Sequence, residues 1–231
     1  MRTAELAMTA SPASGALLSV LPTKLAHALF GQARAVALAP QQTLFTAGDP
    51  GDGFYVLDEG LLKVNVVSVE GAERILAILG PGDLLGELSV IDGAPRSASV
   101  TTIRASKLRF VSRAAFEAVA ERQPELYRYV TMLLSRRLRA IDEALTATSF
   151  LPLKGRTARA LLSLAEAFGK DVGGGRILIR QKVSQSDIAA MAGIARENVS
   201  RILQDFMRRS LVSRLAGYYC LENKAALECE L

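Results

Sequence analysis

An acid, an arginine and a hydroxyl group stand close together in residues 86–98, whose sequence is GELSVIDGAPRSA. The planar guanidinium of Arg96, with the Ser97 hydroxyl and nearby backbone N–H groups, can match the diffuse negative charge of a phosphodiester. Glu87 can only accept hydrogen bonds, so it suits a sugar hydroxyl rather than the phosphate. The segment predicts a site for a sugar phosphate; the alternative is an ordinary turn that carries a surface Glu–Arg pair.

The same segment resembles the phosphate-binding cassette of cyclic-nucleotide-binding domains. Upstream, residues 48–60 read GDPGDGFYVLDEG, which is similar to the turn-strand-turn signature of the same β-roll. The resemblance implies a role for each of five cassette residues. Glu87 binds the ribose, Arg96 and Ser97 bind the cyclic phosphate, and Gly86 and Leu88 offer backbone contacts.

The charge distribution permits binding to a polyanion through the C-terminal part of the chain. Half of the 231 residues are hydrophobic, and the net charge is +5. Residues 1–147 hold 15 basic and 15 acidic residues, whereas residues 148–231 hold 13 and 8. The whole excess of positive charge therefore lies in the C-terminal part, which permits nucleic-acid binding without establishing it.

Nothing in the sequence points to an enzyme, a metal centre or a membrane protein. Cys220 and Cys229 are too few for an iron–sulfur cluster and poorly spaced for zinc, and His27 is the only histidine. No serine or cysteine stands in a nucleophile motif, so no catalytic or metal-binding residue is assigned. Charges interrupt the apolar runs and the N-terminus lacks an apolar block with a cleavage site, so we expect a cytoplasmic protein.

Punctuation by Gly, Pro and Asp from about residue 35 to residue 111 predicts many short antiparallel strands. The clearest strands are 53–58, 61–69, 75–79 and 107–111, and short helices over 17–30 and 113–120 should cover them. Further on, residues 149–154 contain a proline and predict a hinge. A helix over 155–168, a flexible turn at 173–175 and a strand over 177–180 should follow it.

A long helix is predicted from Pro124 to about Ala147, because no Gly or Pro follows the opening proline and strong helix formers dominate. Its apolar residues repeat at spacings of four, three and four, which is typical of a coiled-coil seam. The members of this stripe are Tyr127, Thr131, Leu134, Leu138, Ile141 and Leu145. The stripe packs either on its own domain or, as we favour, in parallel against the same helix of a second subunit.

Residues 184–203 read SQSDIAAMAGIARENVSRIL and predict a helix-turn-helix. Ser184 can cap a first helix whose first turn holds Asp187, and Gly193 supplies the tight turn between the helices. The predicted small core consists of Ile188, Met191, Ile194, Val199 and Ile202.

The second helix of this motif exposes a strongly hydrogen-bonding face. Arg196, Glu197, Ser200 and Arg201 fall within an arc of roughly 140° at about 100° per residue. Arginine can read guanine and glutamate can accept from cytosine, so this face suits G·C-containing steps in the major groove of double-stranded DNA. Ser184 and Gln185, at the start of the first helix, are assigned to DNA as well. The alternative is a solvated helix face with an Arg–Glu pair.

The order of β-roll, long helix and helix-turn-helix resembles the Crp/Fnr family of bacterial transcription regulators, especially its cyclic-AMP receptor branch. The resemblance implies an α+β fold with an N-terminal antiparallel β-roll, a long dimerisation helix and a C-terminal winged helix-turn-helix. These parts span residues 1–122, 123–148 and 149–231. It also implies a homodimer on an inverted repeat of a TGTGA-type half-site, with RNA polymerase as a partner near the loop 169–175.

This chain departs from the cyclic-AMP receptor branch at one place on the long helix. Where that branch offers adjacent Thr and Ser to the adenine, this chain has Ile141 and Asp142. Asp142 can accept from the amino group of adenine or of guanine, so cyclic AMP is the expected effector and cyclic GMP stays open. Arg137 aligns with a helix arginine that approaches the phosphate. A regulator of this architecture that answers to another effector, or to none, is the remaining alternative.

Overall fold

The computed structural model describes residues 21–231 of the chain. The predicted helix over 17–30 lies partly outside the described residues, and the expectation about the N-terminal segment lies outside them altogether. In the described part, an antiparallel sheet is followed by a long helix and then by a smaller sheet with helices packed around it. This arrangement confirms the predicted α+β class.

The first sheet is an antiparallel β-roll. Its strands are β1 (Arg34–Leu38), β2 (Thr43–Phe45), β3 (Gly53–Val67), β4 (Glu73–Leu79), β5 (Leu84–Leu85) and β6 (Ser99–Ser112). The order is β1-β6-β3-β4, with β2 paired to β6 and β5 paired to β3. Because β5 ends at Leu85, the cassette that starts with Gly86 emerges directly from the sheet.

Strand β3 runs unbroken where the sequence predicts two strands, 53–58 and 61–69. Its pairing with β6 shifts register between Leu57 and Leu62, and Gly60 within that stretch has a φ of +110°. A glycine tolerates this left-handed conformation, so the chain absorbs the predicted break as an irregularity and continues the strand. Strand β6 also begins earlier than predicted, at Ser99 instead of Lys107.

Within residues 21–150, four helices belong to the roll and its extension. They are α1 (Thr23–Phe30), α2 (Glu87–Asp92), α3 (Arg113–Arg122) and α4 (Leu126–Phe150). Helices α1, α3 and the first half of α4 share one buried apolar cluster with the roll, which includes Leu25, Leu29, Phe54, Phe116, Leu126 and Leu133. This packing fixes the N-terminal half of the long helix beside the cassette.

The long helix α4 is 25 residues long and ends later than predicted, at Phe150. At 1.5 Å per residue it spans about 37 Å. The Leu151 N–H still donates to the Ala147 carbonyl, and Pro152 then precedes α5 (Leu153–Phe168). The predicted hinge at 149–154 is therefore shorter than expected, because only Leu151 and Pro152 separate the two helices.

The apolar stripe of α4 divides into two parts. Leu134, in the first half, is half-buried and packs against the cluster of its own roll. Leu138, Ile141 and Leu145, in the second half, are 60%, 63% and 66% exposed. The second half therefore presents an apolar face to solvent in the single chain, while the first half packs on its own domain.

The C-terminal region is a winged helix-turn-helix. After α5 follow β7 (Gly169–Asp171), β8 (Ile177–Ile179), α6 (Gln185–Ala192), α7 (Arg196–Arg208), β9 (Val212–Leu215), β10 (Tyr218–Leu221) and α8 (Lys224–Glu228). The sheet order is β7-β8-β10-β9. Strands β9 and β10 form a hairpin whose turn residues Ala216 and Gly217 have φ of +50° and +87°. This hairpin is the wing.

The roll and the C-terminal region share an apolar cluster. Leu61, Ile75 and Ile78 from β3 and β4 are buried in one cluster with Phe168 of α5 and Ile188 of α6. Hydrogen bonding also crosses the boundary, since Arg104 Nη1 of β6 donates to Gln181 Oε1 at 2.7 Å. The helix-turn-helix therefore packs directly on the roll as well as being joined to it through α4.

Candidate functional site

Arg96 is almost completely buried at the heart of the cassette, with its side chain 3% exposed. Its Nη1 donates to the Gly86 carbonyl at 2.7 Å, and its Cζ lies 4.4 Å from the ring centroid of Phe45. Its Nη2 lies 3.6 Å from Asp52 Oδ1, whose side chain is 78% exposed. The buried Nε has no hydrogen-bond partner among the described residues.

A buried charge with such incomplete pairing is unfavourable unless something else compensates it. An anion placed at the open edge of the Arg96 guanidinium would supply the missing acceptor. Phe45 stacks against the face of the guanidinium, and Gly86 occupies one of its nitrogens. The remaining edge is the one that can form a forked, charge-assisted hydrogen bond with a phosphate.

Glu87, the first residue of α2, is also buried, at 4% exposure. Its Oε1 accepts from Arg137 Nη1 of α4 at 2.5 Å. Its buried Oε2 has no partner among the described residues, and the residue borders a cavity lined otherwise by apolar side chains. Glu87 therefore carries an unpartnered acceptor, which is what a ribose hydroxyl requires.

Gly86 must be a glycine for two separate reasons. Its φ is +81°, in the left-handed region that side chains rarely adopt. A Cβ at this position would also stand 2.5 Å from Arg96 Nη1. The glycine thus allows the chain to turn from β5 into α2 while the guanidinium lies against the backbone.

The turn at 48–53 fastens the cassette through backbone hydrogen bonds. The Arg96 N–H donates to the Asp49 carbonyl at 2.9 Å, and the Gly48 N–H donates to the Arg96 carbonyl at 2.8 Å. A Cβ on Gly51 would stand 2.1 Å from the Cβ of Ser89. The two motifs that the sequence analysis joined by resemblance are therefore in direct contact.

The other predicted ligand residues are placed differently. Ser97 and Leu88 are exposed beside Arg96 and Glu87 in the cassette. Arg137 reaches the cassette from α4, where it pairs with Glu87 and also donates to the Leu84 carbonyl. Ile141 and Asp142, one turn further along α4, are exposed. Within the part of the chain that the structure describes, no hydrogen bond or ion pair joins them to the cassette.

The start of the helix-turn-helix has the predicted capping. Ser184 Oγ accepts from the Asp187 N–H at 3.0 Å, and Asp187 Oδ2 accepts from the Ser184 N–H at 3.1 Å. This capping box fixes the first turn of α6. Gly193, between the helices, has a φ of +64°, as the tight turn requires. Of the predicted core, Ile188, Val199 and Ile202 are buried, while Met191 and Ile194 are half-buried against it.

Helix α7 separates a buried side from an exposed side. Val199, Ile202, Leu203 and Phe206 are buried. Arg196, Glu197 and Arg201 are exposed, whereas Ser200 and, on α6, Gln185 are half-buried. Arg201 donates to the Asn198 side chain on the same helix. The exposed side therefore carries both hydrogen-bond donors and an acceptor.

Several residues that surround these sites have no functional role predicted from the sequence. Phe45, which stacks on Arg96, lies more than forty residues before it in the chain, so no local pattern marks it, whereas Asp52 lies in the motif at 48–60 but was given no role there. Lys182, which precedes α6, has its Nζ 5.1 Å from the ring centroid of Tyr218 in the wing, and Arg214 of the wing has its Cζ 5.1 Å from that of Tyr219. The short hairpin around Gly217 is the signal that could have drawn attention to Arg214, whereas no local pattern marks Lys182.

No group of His, Cys, Asp and Glu side chains among residues 21–231 is arranged to hold a metal ion. No helix in this same range is long and apolar enough to cross a membrane.

The fold and these sites define a class of protein that combines nucleotide binding with DNA binding. Residues 35–123 match the family model of the cyclic nucleotide-binding domain, and residues 155–230 match that of the Crp-like helix-turn-helix domain. The chain is 34% identical over 214 residues to a CRP-like cAMP-activated global transcriptional regulator of Mycobacterium tuberculosis, covering 93% of this chain and 92% of that one.

It is also 34% identical over 192 residues to a cyclic AMP receptor protein of Thermus thermophilus, covering 83% of this chain and 85% of the relative. Among solved structures, FixK2 from Bradyrhizobium japonicum has the same fold, with a TM-score of 0.76, 20% identity and coverage of 85% and 96% of the two chains. The chain belongs to the Crp/Fnr family of cyclic-nucleotide-binding, DNA-binding transcription regulators.

Proposed function

We propose that this chain is a transcription regulator that is switched by cyclic AMP and binds DNA as a homodimer. One observation carries the proposal: the Nε of the buried Arg96 and the Oε2 of the buried Glu87 have no hydrogen-bond partner among the described residues. A cyclic nucleotide offers a singly charged phosphodiester to the first and a ribose hydroxyl to the second. The names of the Mycobacterium tuberculosis and Thermus thermophilus relatives favour cyclic AMP as that nucleotide.

The proposed site keeps the residue assignments of the sequence analysis. Arg96 and Ser97 bind the phosphate, Glu87 binds the ribose, and Gly86 and Leu88 contribute backbone groups. Residues 1–122 form the nucleotide-binding part, residues 123–148 the dimerisation helix and residues 149–231 the DNA-binding part. This division is supported by the change of architecture at α4 and at Pro152.

The exposed apolar face of Leu138, Ile141 and Leu145 supports a homodimer. Covering this face with the same helix of a second copy would bury side chains that are more than half exposed in the single chain. In a parallel pair, Ile141 and Asp142 would lie near the roll, where the base of the nucleotide has to be held. The dimer and the nucleotide site are therefore parts of one proposal.

Arg137 supports a coupling between the pocket and the long helix. It is on α4, yet it occupies one oxygen of Glu87 and the carbonyl of Leu84. A ribose hydroxyl that bonds to Glu87 would change the strength of the Glu87–Arg137 ion pair. This change would bias the position of α4. Such a bias shifts a population between two dimer arrangements, because the nucleotide binds them with different affinity.

The DNA-binding role rests on α7 and on the start of α6. Arg196, Glu197, Ser200 and Arg201 would read bases, and Ser184 and Gln185 would contact the backbone. Two copies would read an inverted repeat of a TGTGA-type half-site, with centres about one helical turn, roughly 34 Å, apart. A cytoplasmic regulator of this kind would also meet RNA polymerase, and we place that contact near residues 169–175.

Cyclic GMP is the second candidate effector, and Asp142 is the observation in its favour. A carboxylate at this position can accept from the amino group of guanine as well as from that of adenine. The two nucleotides share the phosphate and the ribose, so the cassette alone does not choose between them.

Calorimetric titration tests the proposal directly. We expect cyclic AMP to bind, and to bind more tightly when a palindromic TGTGA-type duplex is present but not when a scrambled duplex is present. The gain in nucleotide affinity should equal the gain in DNA affinity that the nucleotide causes, since coupling is reciprocal. Tighter binding of cyclic GMP would select the second candidate. Equal DNA binding with and without either nucleotide would overturn the proposal in favour of another effector or none.

A further inference from the structure

We propose that Arg113 is a positioning residue for the nucleotide phosphate, holding the cassette and the turn at 48–53 in one fixed geometry around Arg96. The inference rests on the proposed function, because it assumes that the cassette binds a cyclic nucleotide. Arg113 lies outside the cassette, at the first position of α3. Its side chain forms no hydrogen bond with a residue to which a ligand role has been assigned.

The side chain of Arg113 joins two segments that are far apart in sequence. Its Nη2 donates to the Ser89 carbonyl in α2 and to the Gly51 carbonyl in the turn, the second at 3.3 Å. Its own N–H donates to the Asp52 carbonyl at 2.9 Å. One residue thus holds the cassette helix by its side chain and the turn by both side chain and backbone.

These two segments form the walls around the Arg96 guanidinium. A Cβ on Gly51 would stand 3.5 Å from Arg96 Cζ and 2.1 Å from Ser89 Cβ. The Gly51 backbone thus leaves no room for a side chain beside the cassette helix and the buried cation. If the turn moved away from α2, Arg96 would lose this wall, and Asp52 would move with the turn.

The location of Arg113 is unfavourable for its own helix. A cation in the first turn of a helix opposes the macrodipole. The cap of α3 does not need Arg113 either, because Ser112 Oγ accepts from the Ala115 N–H at 3.2 Å. The guanidinium instead reaches the Ser89 carbonyl near the C-terminal end of α2, where a cation is favoured. Arg113 is unfavourable for its own helix, so its presence is explained by its hydrogen bonds to α2 and to the turn.

This arrangement should act on ligand affinity through preorganisation. Arg96 is buried with an open edge before any ligand arrives, so the phosphate does not have to order it. Without Arg113 the turn and the cassette would be free to separate, and binding would have to restore their geometry at the expense of affinity. The loss should concern recognition of the phosphate more than that of the base or the ribose.

The test compares Arg113→Met with Arg122→Met in the full-length chain. Arg122 is an exposed arginine in the last turn of the same helix, so its replacement is a matched control. The ligands are cyclic AMP and its two phosphorothioate diastereomers, in each of which sulfur replaces a different exocyclic oxygen. We expect Arg113→Met to weaken cyclic AMP binding about tenfold or more, as for a lost charged hydrogen bond. We also expect the affinity ratio of the two diastereomers to approach one, while Arg122→Met behaves as wild type.

The diastereomer ratio separates positioning from a general loss of stability, because destabilisation alone does not change which oxygen is preferred. Wild-type affinity and ratio in folded Arg113→Met would overturn the inference, and so would an equal loss in Arg122→Met. If Arg113→Met does not fold, Arg113→Gln replaces it, because the glutamine side chain is too short to bridge the carbonyls of Gly51 and Ser89. A wild-type diastereomer ratio in Arg113→Gln would then overturn the inference. A wild-type chain that binds no cyclic nucleotide would overturn the proposed function itself, and this inference with it.

Discussion

Arg96 in the roll and Arg196 on α7 carry the same side chain in opposite surroundings. Arg96 is buried, and its contacts Phe45, Asp52 and Gly86 come from separate segments of the chain. Arg196 is exposed on a single helix. A buried cation is held in one geometry for one ligand, whereas an exposed cation can adjust to a groove. Substitutions in the pocket should therefore disturb several groups at once, and those on α7 should act on single base contacts.

The largest effect is expected for Arg96→Ala. It removes the only cation in the cassette and leaves the Gly86 carbonyl and Asp52 without their partner. Cyclic AMP affinity should fall at least about a hundredfold, consistent with the loss of charged hydrogen bonds in a buried site. Calorimetry and DNA-binding titration measure this change, and sedimentation should still show a dimer. Arg109→Ala, which removes a half-buried pair with Asp58, is the matched control and should bind normally. Full nucleotide-stimulated DNA binding by Arg96→Ala would contradict the assignment of the cassette.

A smaller effect on ligand affinity is expected for Glu87→Ala, which also removes the partner of Arg137. The 2′-hydroxyl is the only free ribose hydroxyl in a 3′,5′-cyclic nucleotide, and Glu87 Oε2 is the open acceptor proposed for it. Affinity for cyclic AMP should fall about tenfold, while affinity for 2′-deoxy cyclic AMP should hardly change. Competition titrations with both ligands measure the difference. If the variant still preferred the ribose form as wild type does, Glu87 would not contact that hydroxyl. Glu121→Ala, an exposed acid on α3, provides the comparison.

On the exposed side of the comparison, Glu197→Ala should relax the base preference at one position of each half-site. The expected loss of discrimination is about 1–3 kcal/mol, the range for one good contact to a base edge. A panel of duplexes with single base-pair substitutions measures it. Gln204→Ala, on the same helix and also exposed, should leave the preference intact. An unchanged preference in Glu197→Ala would remove this residue from the set that reads bases.

The smallest expected effect is on stability at low pH, and it concerns Asp205 near the C-terminal end of α7. Hydrogen bonds from Lys154 of α5 and from Arg208 lower its pKa to about 2. Because this pKa is depressed, the pairing stabilises the fold above the ordinary carboxyl range and is lost as the pH falls from about 4 towards 2. Lys154→Met should raise the pKa of Asp205 towards its usual value, as a carboxyl chemical-shift titration would show. Lys224→Met, which removes an unrelated pair with Glu228, should leave that pKa unchanged.

The parts of the fold that could be predicted are those with local signals. Gly193 marks the turn of the helix-turn-helix, and the pairing of Ser184 with Asp187 marks the start of its first helix. The first part of β6 was missed because its apolar residues do not alternate: Val100 and Ile103 are three positions apart, and most of the other residues are polar. Thr102 in that part is buried, and its hydroxyl donates to the Ala39 carbonyl at 2.6 Å. A polar side chain satisfied by a distant backbone group looks like a loop residue in the sequence.

The candidate site was predicted from the cassette but not from its surroundings. Gly86, Glu87 and Arg96 are close in sequence, so their types and spacing could be read together. Phe45 and Arg113 approach from other strands and helices, and only the pairing of β2 and β3 with β6 brings them there. The roles of the exposed residues Ile141 and Asp142 stay a prediction, because a second copy of the chain would decide what these side chains face.

The apolar cluster shared by the roll and the helix-turn-helix has a thermodynamic consequence. Any rearrangement that lifts α6 from β4 must hydrate Leu61, Ile75 and Ile78, which are 0%, 3% and 9% exposed when packed. Hydration of apolar surface increases the heat capacity, so the free-energy difference between the packed and lifted arrangements curves with temperature. The equilibrium between the packed and lifted positions of the DNA-reading helices would then depend on temperature as well as on effector concentration.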